Sequence, residues 1–137
     1  MKACIIYFSG TGNTKKFAYA ISKSLDLPIF NVETAKSKVV LDYDLLFVGT
    51  PVHGNAPAKP ITLFIGTLPK ADNKKAIIFS TYAIRKGSAL EKLEKQLAEK
   101  GYFTILKSSK KGIRFGEEAF DDNIEQIQKI IKSSPET

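Results

Sequence analysis

Apolar and polar positions along the chain alternate between two rhythms. Residues 2–8 are almost continuously apolar, centred on Cys4-Ile5-Ile6-Tyr7, as in a strand covered on both faces within a parallel sheet. Residues 15–25 switch to helical spacing, with Phe17, Ala18, Ile21 and Leu25 on one stripe, and Leu27-Pro28 stops the pattern. A short strand is predicted at 29–33, then a polar, basic loop or weak helical turn at 34–41. A third strand, strongly apolar, is predicted at 44–48. The next helix starts near Pro60, a favoured first-turn proline, buries Ile61, Phe64, Ile65 and Leu68, and closes at Pro69. Residues 75–81, with Ala76-Ile77-Ile78-Phe79 at the centre, predict a fourth strand. Ser88-Ala89-Leu90-Glu91 has the form of a capping box. The helix behind it carries Leu90, Leu93 and Leu97 on one face and stops at Gly101. A fifth strand is predicted at 102–106 and a solvated basic loop at 107–112, with 113–115 briefly extended. A last helix is predicted from about 117 to 131, carrying Phe120, Ile124, Ile127 and Ile131. Residues 133–137 are expected to fray.

Strand and helix thus alternate five times. Right-handed crossovers turn that alternation into one α/β domain spanning 1–137, a three-layer sandwich with a five-stranded parallel sheet between helices. The order 2-1-3-4-5 suits five strands better than the longer dinucleotide-binding order. It sets the loops after strands 1, 3 and 4 side by side, where open α/β sheets bind ligands.

The first of these loops carries the sharpest chemistry. Phe8-Ser9-Gly10-Thr11-Gly12-Asn13-Thr14 joins a strand to a helix. Its glycines allow positive φ and close backbone approach. Ser9, Thr11, Asn13 and Thr14 add side-chain donors to the unpaired N–H groups of a helix start. A Walker A loop would end Gly-Lys-Ser/Thr, and here Lys15 follows Thr14. The dinucleotide fingerprint would place a third glycine where Lys15 stands, although Glu33 sits where a ribose-binding acid belongs. Four side-chain donors in six residues suit the three oxygens of a phosphate monoester better than a pyrophosphate cradled by bare glycine backbone. The second loop, Thr50-Pro51-Val52-His53-Gly54-Asn55-Ala56-Pro57-Ala58-Lys59-Pro60, is stiffened by three prolines. The third is Thr81-Tyr82-Ala83-Ile84-Arg85-Lys86-Gly87.

Composition narrows the setting. No apolar run approaches the roughly 20 residues of a membrane span, and the N-terminus lacks a cleavable signal pattern. The single cysteine, Cys4, cannot form an internal disulfide or a thiolate cluster and is expected to be buried. These features predict a cytoplasmic protein. The net charge of +7 raises nucleic acid as a partner. The lysines, however, are spread along the chain with no basic run interleaved with aromatics. The expectation is therefore a solvated surface and a steering field for acidic protein partners, without nucleic acid or membrane binding. His53, the only histidine, has no Cys, Asp or Glu at ligand spacing, so no metal site is expected.

With those residues in view, the chain resembles the flavodoxin family. The resemblance rests on Tyr7-Phe8-Ser9-Gly10-Thr11-Gly12-Asn13-Thr14, on Thr50 to Pro57 and on Thr81-Tyr82 through Gly87-Ser88. It covers nearly the whole chain. It implies a flavodoxin-like fold, non-covalent FMN, and one- or two-electron transfer between redox proteins by a monomer. It implies that Ser9, Gly10, Thr11, Gly12, Asn13 and Thr14 hold the phosphate. It places Pro51, Val52, His53, Gly54 and Asn55 on one flank of the isoalloxazine ring, and Thr81, Tyr82, Ala83 and Gly87 on the other. Gly54 would let the Gly54–Asn55 peptide rotate so that its carbonyl accepts a hydrogen bond from the reduced ring's N5–H. Tyr82 and His53 could stack on or edge the ring, and His53 is also a candidate for coupling proton uptake to reduction.

Two features depart from the family. Many flavodoxins cover the ring with tryptophan and are acidic, whereas this chain has no Trp and a pI near 9.4. Positive surroundings favour an anionic reduced ring, within a screening range of about 8–10 Å. The expected potential is low, but less extreme than in acidic relatives. The alternative is a small FMN-dependent oxidoreductase of quinone-reductase or protoporphyrinogen-oxidase type, and whether there is substrate turnover is open. An activator of a manganese ribonucleotide reductase would carry a Gly-Asn-rich loop where Thr81-Tyr82-Ala83-Ile84-Arg85 stands. A phosphate-binding domain without a redox role is the plainest reading.

Overall fold

The computed structural model describes residues 2–116 and 118–133. Its elements run β1 (Ala3–Tyr7), α1 (Asn13–Leu25), β2 (Ile29–Asn31), a 3-10 turn (Ser37–Val40), β3 (Leu45–His53), β4 (Ala56–Pro57), α2 (Lys59–Gly66), β5 (Lys74–Tyr82), α3 (Ala89–Glu99), β6 (Tyr102–Lys111) and α4 (Asp121–Ser133). The sheet order is β2-β1-β3-β5-β6, with β4 paired to β3 alone. Every pairing on the main path is parallel. This is the predicted 2-1-3-4-5 arrangement, renumbered because a short hairpin strand takes fourth place.

Strand alternation divides the core. Cys4 and Ile6 of β1 face Ile61, Ile65, Leu93 and Leu97 of α2 and α3. Ala3, Ile5 and Tyr7 face Phe17, Ile21, Phe120 and Ile127 of α1 and α4. Both faces of the central strands are thus buried, as their unbroken apolar runs require. On the α1/α4 side, Phe79, Phe17, Phe120 and Phe115 pack in a row with centroids 4.7, 4.4 and 5.0 Å apart. A Cβ at Gly49 would run into the Phe79 ring, so the row depends on a missing side chain in the neighbouring strand.

Three predicted features are corrected. β6 does not end at 106; it continues through the stretch expected to be a basic loop, as far as Lys111. A register shift against Ala76/Ile77 lets the edge strand carry an extra residue. Its polar residues have strand roles. Buried Ser108 accepts from Asn123 Nδ2 of α4 at 2.7 Å, Ser109 Oγ pairs with Ser80 Oγ at 2.9 Å, and the Ser109 carbonyl accepts from Asn123 at 3.1 Å. Lys107, Lys110 and Lys111 guard a sheet edge that would otherwise invite further strands. Second, β3 runs to His53 and turns back through β4, so the proline-rich loop is partly a hairpin. Third, residues 113–115 form a bend rather than an extended segment. The last helix begins at Asp121. Glu117, its expected start, lies outside the described residues, as do 134–137 of the expected fraying end.

Cys4 is fully buried, as expected, and burial pushes its thiol up to about 12 from 9.0. Burial also raises Tyr102, with the nearby Cys4 adding to the effect. A folded-state pKa above the unfolded one means that the unfolded chain loses its proton first. Stability from these groups is complete below about pH 9 and falls as pH rises toward 12. Urea midpoints should therefore drop between about pH 8 and about pH 10.5, and Cys4→Ala should show a shallower drop. A second expectation concerns Gly49→Ala. Overpacking against Phe79 should destabilise by about 1–3 kcal/mol, read from the same denaturation curves.

Candidate functional site

Parallel pairing brings the ends of β1, β3 and β5 to one edge of the sheet. Tyr7 pairs with Gly49, Gly49 with Phe79, and Pro51 with Thr81. The three nominated loops leave from those ends as neighbours. Phe8 N–H donates to the Gly49 carbonyl at 3.1 Å. Thr14 Oγ1 and Thr81 Oγ1, both buried, share a hydrogen bond of 2.7 Å across 67 residues of sequence.

The first loop is built around one hydroxyl. Ser9 Oγ accepts the N–H groups of Gly12 at 3.0 Å and Lys15 at 3.2 Å. With both lone pairs engaged, its remaining polar function is its O–H proton, a donor. Gly12 has φ 100°, and α1 starts at the next residue with no acidic residue in its first turn. Asn13 Nδ2 donates to the Ile113 carbonyl at 2.9 Å, so the segment after β6 abuts the loop. Lys15 Nζ stands 5.6 Å from the Tyr19 ring centroid. Among the described residues, no protein acceptor takes the N–H groups of Gly10, Thr11, Asn13 and Thr14. Added Cβ atoms at Gly10 and Gly12 would meet nothing within 4 Å. Of the four nominated side-chain donors, Asn13 and Thr14 spend polar atoms on shaping the loop. Thr11, exposed, has no partner among the described residues. The result is a ring of amide donors at the positive end of a helix, which suits an anion.

In the second loop, Thr50 Oγ1 accepts from Ala58 N–H at 2.9 Å and donates to the Pro51 carbonyl at 2.8 Å, fixing the path of the hairpin. Pro51 and Val52 are half-buried, and His53, Gly54 and Asn55 are exposed. Gly54 and Asn55 occupy the two-residue turn between paired His53 and Ala56, with φ 54° and 69°. Positive φ at both central positions is the mark of a type I′ turn. A glycine in the first position equally suits the II′ form, so rotation of the Gly54–Asn55 peptide exchanges two accepted turn types.

The second and third loops are latched together. Asn55 Oδ1 accepts the Ser88 N–H at 2.7 Å, and the Asn55 carbonyl accepts from Lys92 Nζ at 2.9 Å. Ser88 is the N-cap of α3 but makes no side-chain cap bond. The expected capping box is therefore absent; Glu91 lies 3.6 Å from Lys107 instead. Gly87 is needed twice, for its φ of 54° and because a Cβ there would strike Asn55 Oδ1. Tyr82 is half-buried, and its carbonyl accepts the Gly112 N–H at 2.9 Å; Ala83 and Gly87 are exposed. Sequence reasoning missed the 112–115 segment as a neighbour of the site, because its link to Asn13 is a backbone carbonyl and leaves no side-chain signature. A separate cleft of about 770 Å³ opens between α1 and α4, lined by Tyr19, Phe115, Phe120 and Ile124 among others. None of the nominated residues lines it. Among the described residues no group of His, Cys, Asp and Glu could hold a metal ion.

A turn ringed by unpaired amides at the end of β1, with two loops beside it, has the layout of a doubly wound domain of the kind that binds a phosphorylated cofactor at its switch point. The flavodoxin domain model matches residues 4–110. The chain is 33% identical over 105 residues to an uncharacterized protein of Methanocaldococcus jannaschii, covering 74% of this chain and 69% of that one. It is 29% identical over 103 residues to a flavodoxin of Clostridium beijerinckii, covering 68% and 73%. Oxidised flavodoxin 2 of Bacillus cereus superposes with a TM-score of 0.83 at 20% identity, over 98% of this chain and 100% of that one. This chain belongs to the flavodoxin family, whose cofactor is FMN. The donor ring around the first loop fits the phosphate of that group.

Asn55→Ala should remove the latch. The expected cost is about 1 kcal/mol of stability, with faster hydrogen exchange at the Ser88 amide. Unchanged exchange at Ser88 would show that the two loops are held by other contacts.

Proposed function

We propose that this chain is a low-potential electron carrier that holds FMN at the ends of β1, β3 and β5 and exchanges electrons with redox proteins. The ring of unengaged amide donors at the entry to α1 carries this reading, together with family membership. Bound FMN supplies the ring that takes up and releases electrons. The protein binds and orients it. Gly10, Thr11, Asn13 and Thr14 offer backbone N–H groups to the phosphate, and the hydroxyls of Ser9 and Thr11 add two more donors. Gly12 supplies the left-handed turn that opens the loop, and Thr14 braces it against Thr81.

The hairpin with Pro51, Val52, His53, Gly54 and Asn55 flanks the ring on one side, and Thr81, Tyr82, Ala83 and Gly87 flank it on the other. The Gly54–Asn55 peptide can present its carbonyl to a protonated ring nitrogen by exchanging turn types. The partners are redox proteins with acidic docking surfaces, the carrier works as a monomer, and its setting is the cytoplasm. The short connections leave little chain to build a substrate chamber above the ring, which favours a carrier over an enzyme.

Anaerobic spectral titration of the protein with FMN and a graded reductant tests this directly. A carrier should bind FMN, accept electrons in two resolved steps and oxidise NAD(P)H only slowly. Rapid NAD(P)H turnover by the pure protein would instead make it an oxidoreductase, and a protein that stays colourless would end the proposal.

A further inference from the structure

Folding brings together loops that carry cations and almost no acids. Segments 8–16, 50–60, 80–90 and 107–116 all meet at the carboxyl end of the sheet. Together they hold nine cations and no Asp or Glu. Carboxylates collect at the opposite end, where Asp26, Asp42, Asp44, Asp72 and Glu99 precede the strands. The exceptions at the cationic end flank it: Glu33 follows edge strand β2, Glu91 and Glu94 lie in the first half of α3, and Glu118, Asp121 and Asp122 precede or open α4. Lys107 is paired with Glu94 at 3.0 Å. Arg85, Lys86, Lys110, Lys111 and Arg114 have no anionic partner among the described residues.

Within this cationic ground stand two of the most exposed apolar side chains of the fold, Ile84 and Ile113, at 80% and 78% exposure. Their placement follows from the backbone. Tyr82 and Lys111 are register partners, and Gly112 N–H donates to the Tyr82 carbonyl at 2.9 Å. Each isoleucine lies two residues beyond one member of that pair. Asn13 then holds the Ile113 carbonyl at 2.9 Å, fixing this point against the phosphate loop. The unpaired like charges around the two isoleucines repel one another in the isolated chain.

We infer that Ile84 and Ile113, ringed by Arg85, Lys86, Lys110, Lys111 and Arg114, form the docking face for an acidic redox protein at the mouth of the cofactor site. This deepens the electron-carrier reading and rests on it. A partner that exchanges electrons must approach the loops beside the ring, and the loop after β5 carries Ile84. An acidic collar on that partner would pair with the cations and speed encounter, while a small apolar centre would cover the two isoleucines. Nucleic acid would use the cations but leave the isoleucines unserved.

The test incubates the protein with FMN and titrates it with an acidic [2Fe–2S] ferredoxin as probe. Calorimetry and amide chemical shifts are followed at about 20 and about 200 mM salt, which brackets the onset of strong screening. Affinity should fall at least about tenfold between the two salts, with shifts centred on Ile84, Arg85, Lys111, Ile113 and Arg114. Arg85→Glu with Lys111→Glu should weaken low-salt binding at least about tenfold, whereas Lys70→Glu with Lys132→Glu, away from this face, should not. Ile84→Ser with Ile113→Ser should weaken binding while keeping the salt dependence. Indifference to the Arg85/Lys111 reversal, shifts centred elsewhere, or tighter binding of duplex DNA or phosphatidylglycerol vesicles at the same residues would overturn the assignment. Flavin content, read from the absorbance spectrum, separates the two claims. A yellow protein that ignores the probe refutes the docking face alone. A protein that binds the probe here yet takes up no FMN refutes the cofactor reading, and with it the part this face plays in electron exchange.

Discussion

A helix that begins in the open must find something to take its first amide hydrogens. In most helices a side chain or water does so. At α1 the Ser9 hydroxyl is turned inward to hold the Gly12 and Lys15 N–H groups, and the amides of Gly10, Thr11, Asn13 and Thr14 are left without a protein acceptor among the described residues. That inward turn is the constraint on which the rest depends. It sets the loop's curvature, places Asn13 against the segment after β6 and places Thr14 against the end of β5. A loop shaped by its own side chains keeps its backbone donors ready for a ligand, so little ordering cost falls on the binding event.

The sheet makes this constraint useful. Parallel pairing of β1, β3 and β5 aligns three strand ends, and the Asn55–Ser88 bond fixes the spacing of the two loops beside the first. The interior supports the same end of the molecule. The row of rings from Phe79 to Phe115 runs through the α1/α4 layer, and Phe115 belongs to the segment whose Ile113 carbonyl receives Asn13. Charge follows the same polarity. A turn of unpaired amides that is to hold an anion gains from neighbouring cations, and the turn itself and the loops after β3 and β5 carry no carboxylate.

Much of this was legible in the sequence. Continuous apolar runs at β1, β3 and β5 announced strands covered on both faces, and the hydroxyl-rich turn between Phe8 and Lys15 is where the structure leaves a ring of amides without a protein acceptor. What stayed hidden involved contacts distant in sequence or strands with few apolar residues. β6 was obscured because Lys107-Ser108-Ser109-Lys110-Lys111 looks like solvated loop; its buried face is satisfied by Asn123 and Ser80 rather than by hydrocarbon. The pattern Ser88-x-x-Glu91 suggested a local cap, yet the bond that α3 needs comes from Asn55, 33 residues earlier. Local motifs predict local partners, and here the tertiary partner prevailed. The scarcity of carboxylates in the loops after β1, β3 and β5 was likewise invisible in a chain where lysines are evenly spread.

If the turn before α1 is the principal grip, the phosphate must supply much of the affinity. Calorimetric titration with FMN and with riboflavin, which share the ring and differ by the phosphate, isolates that contribution. FMN should bind at least about a hundredfold more tightly, equivalent to about 2.7 kcal/mol. Equal affinities for the two flavins would contradict the account and move the anchor from the turn to the ring-flanking loops.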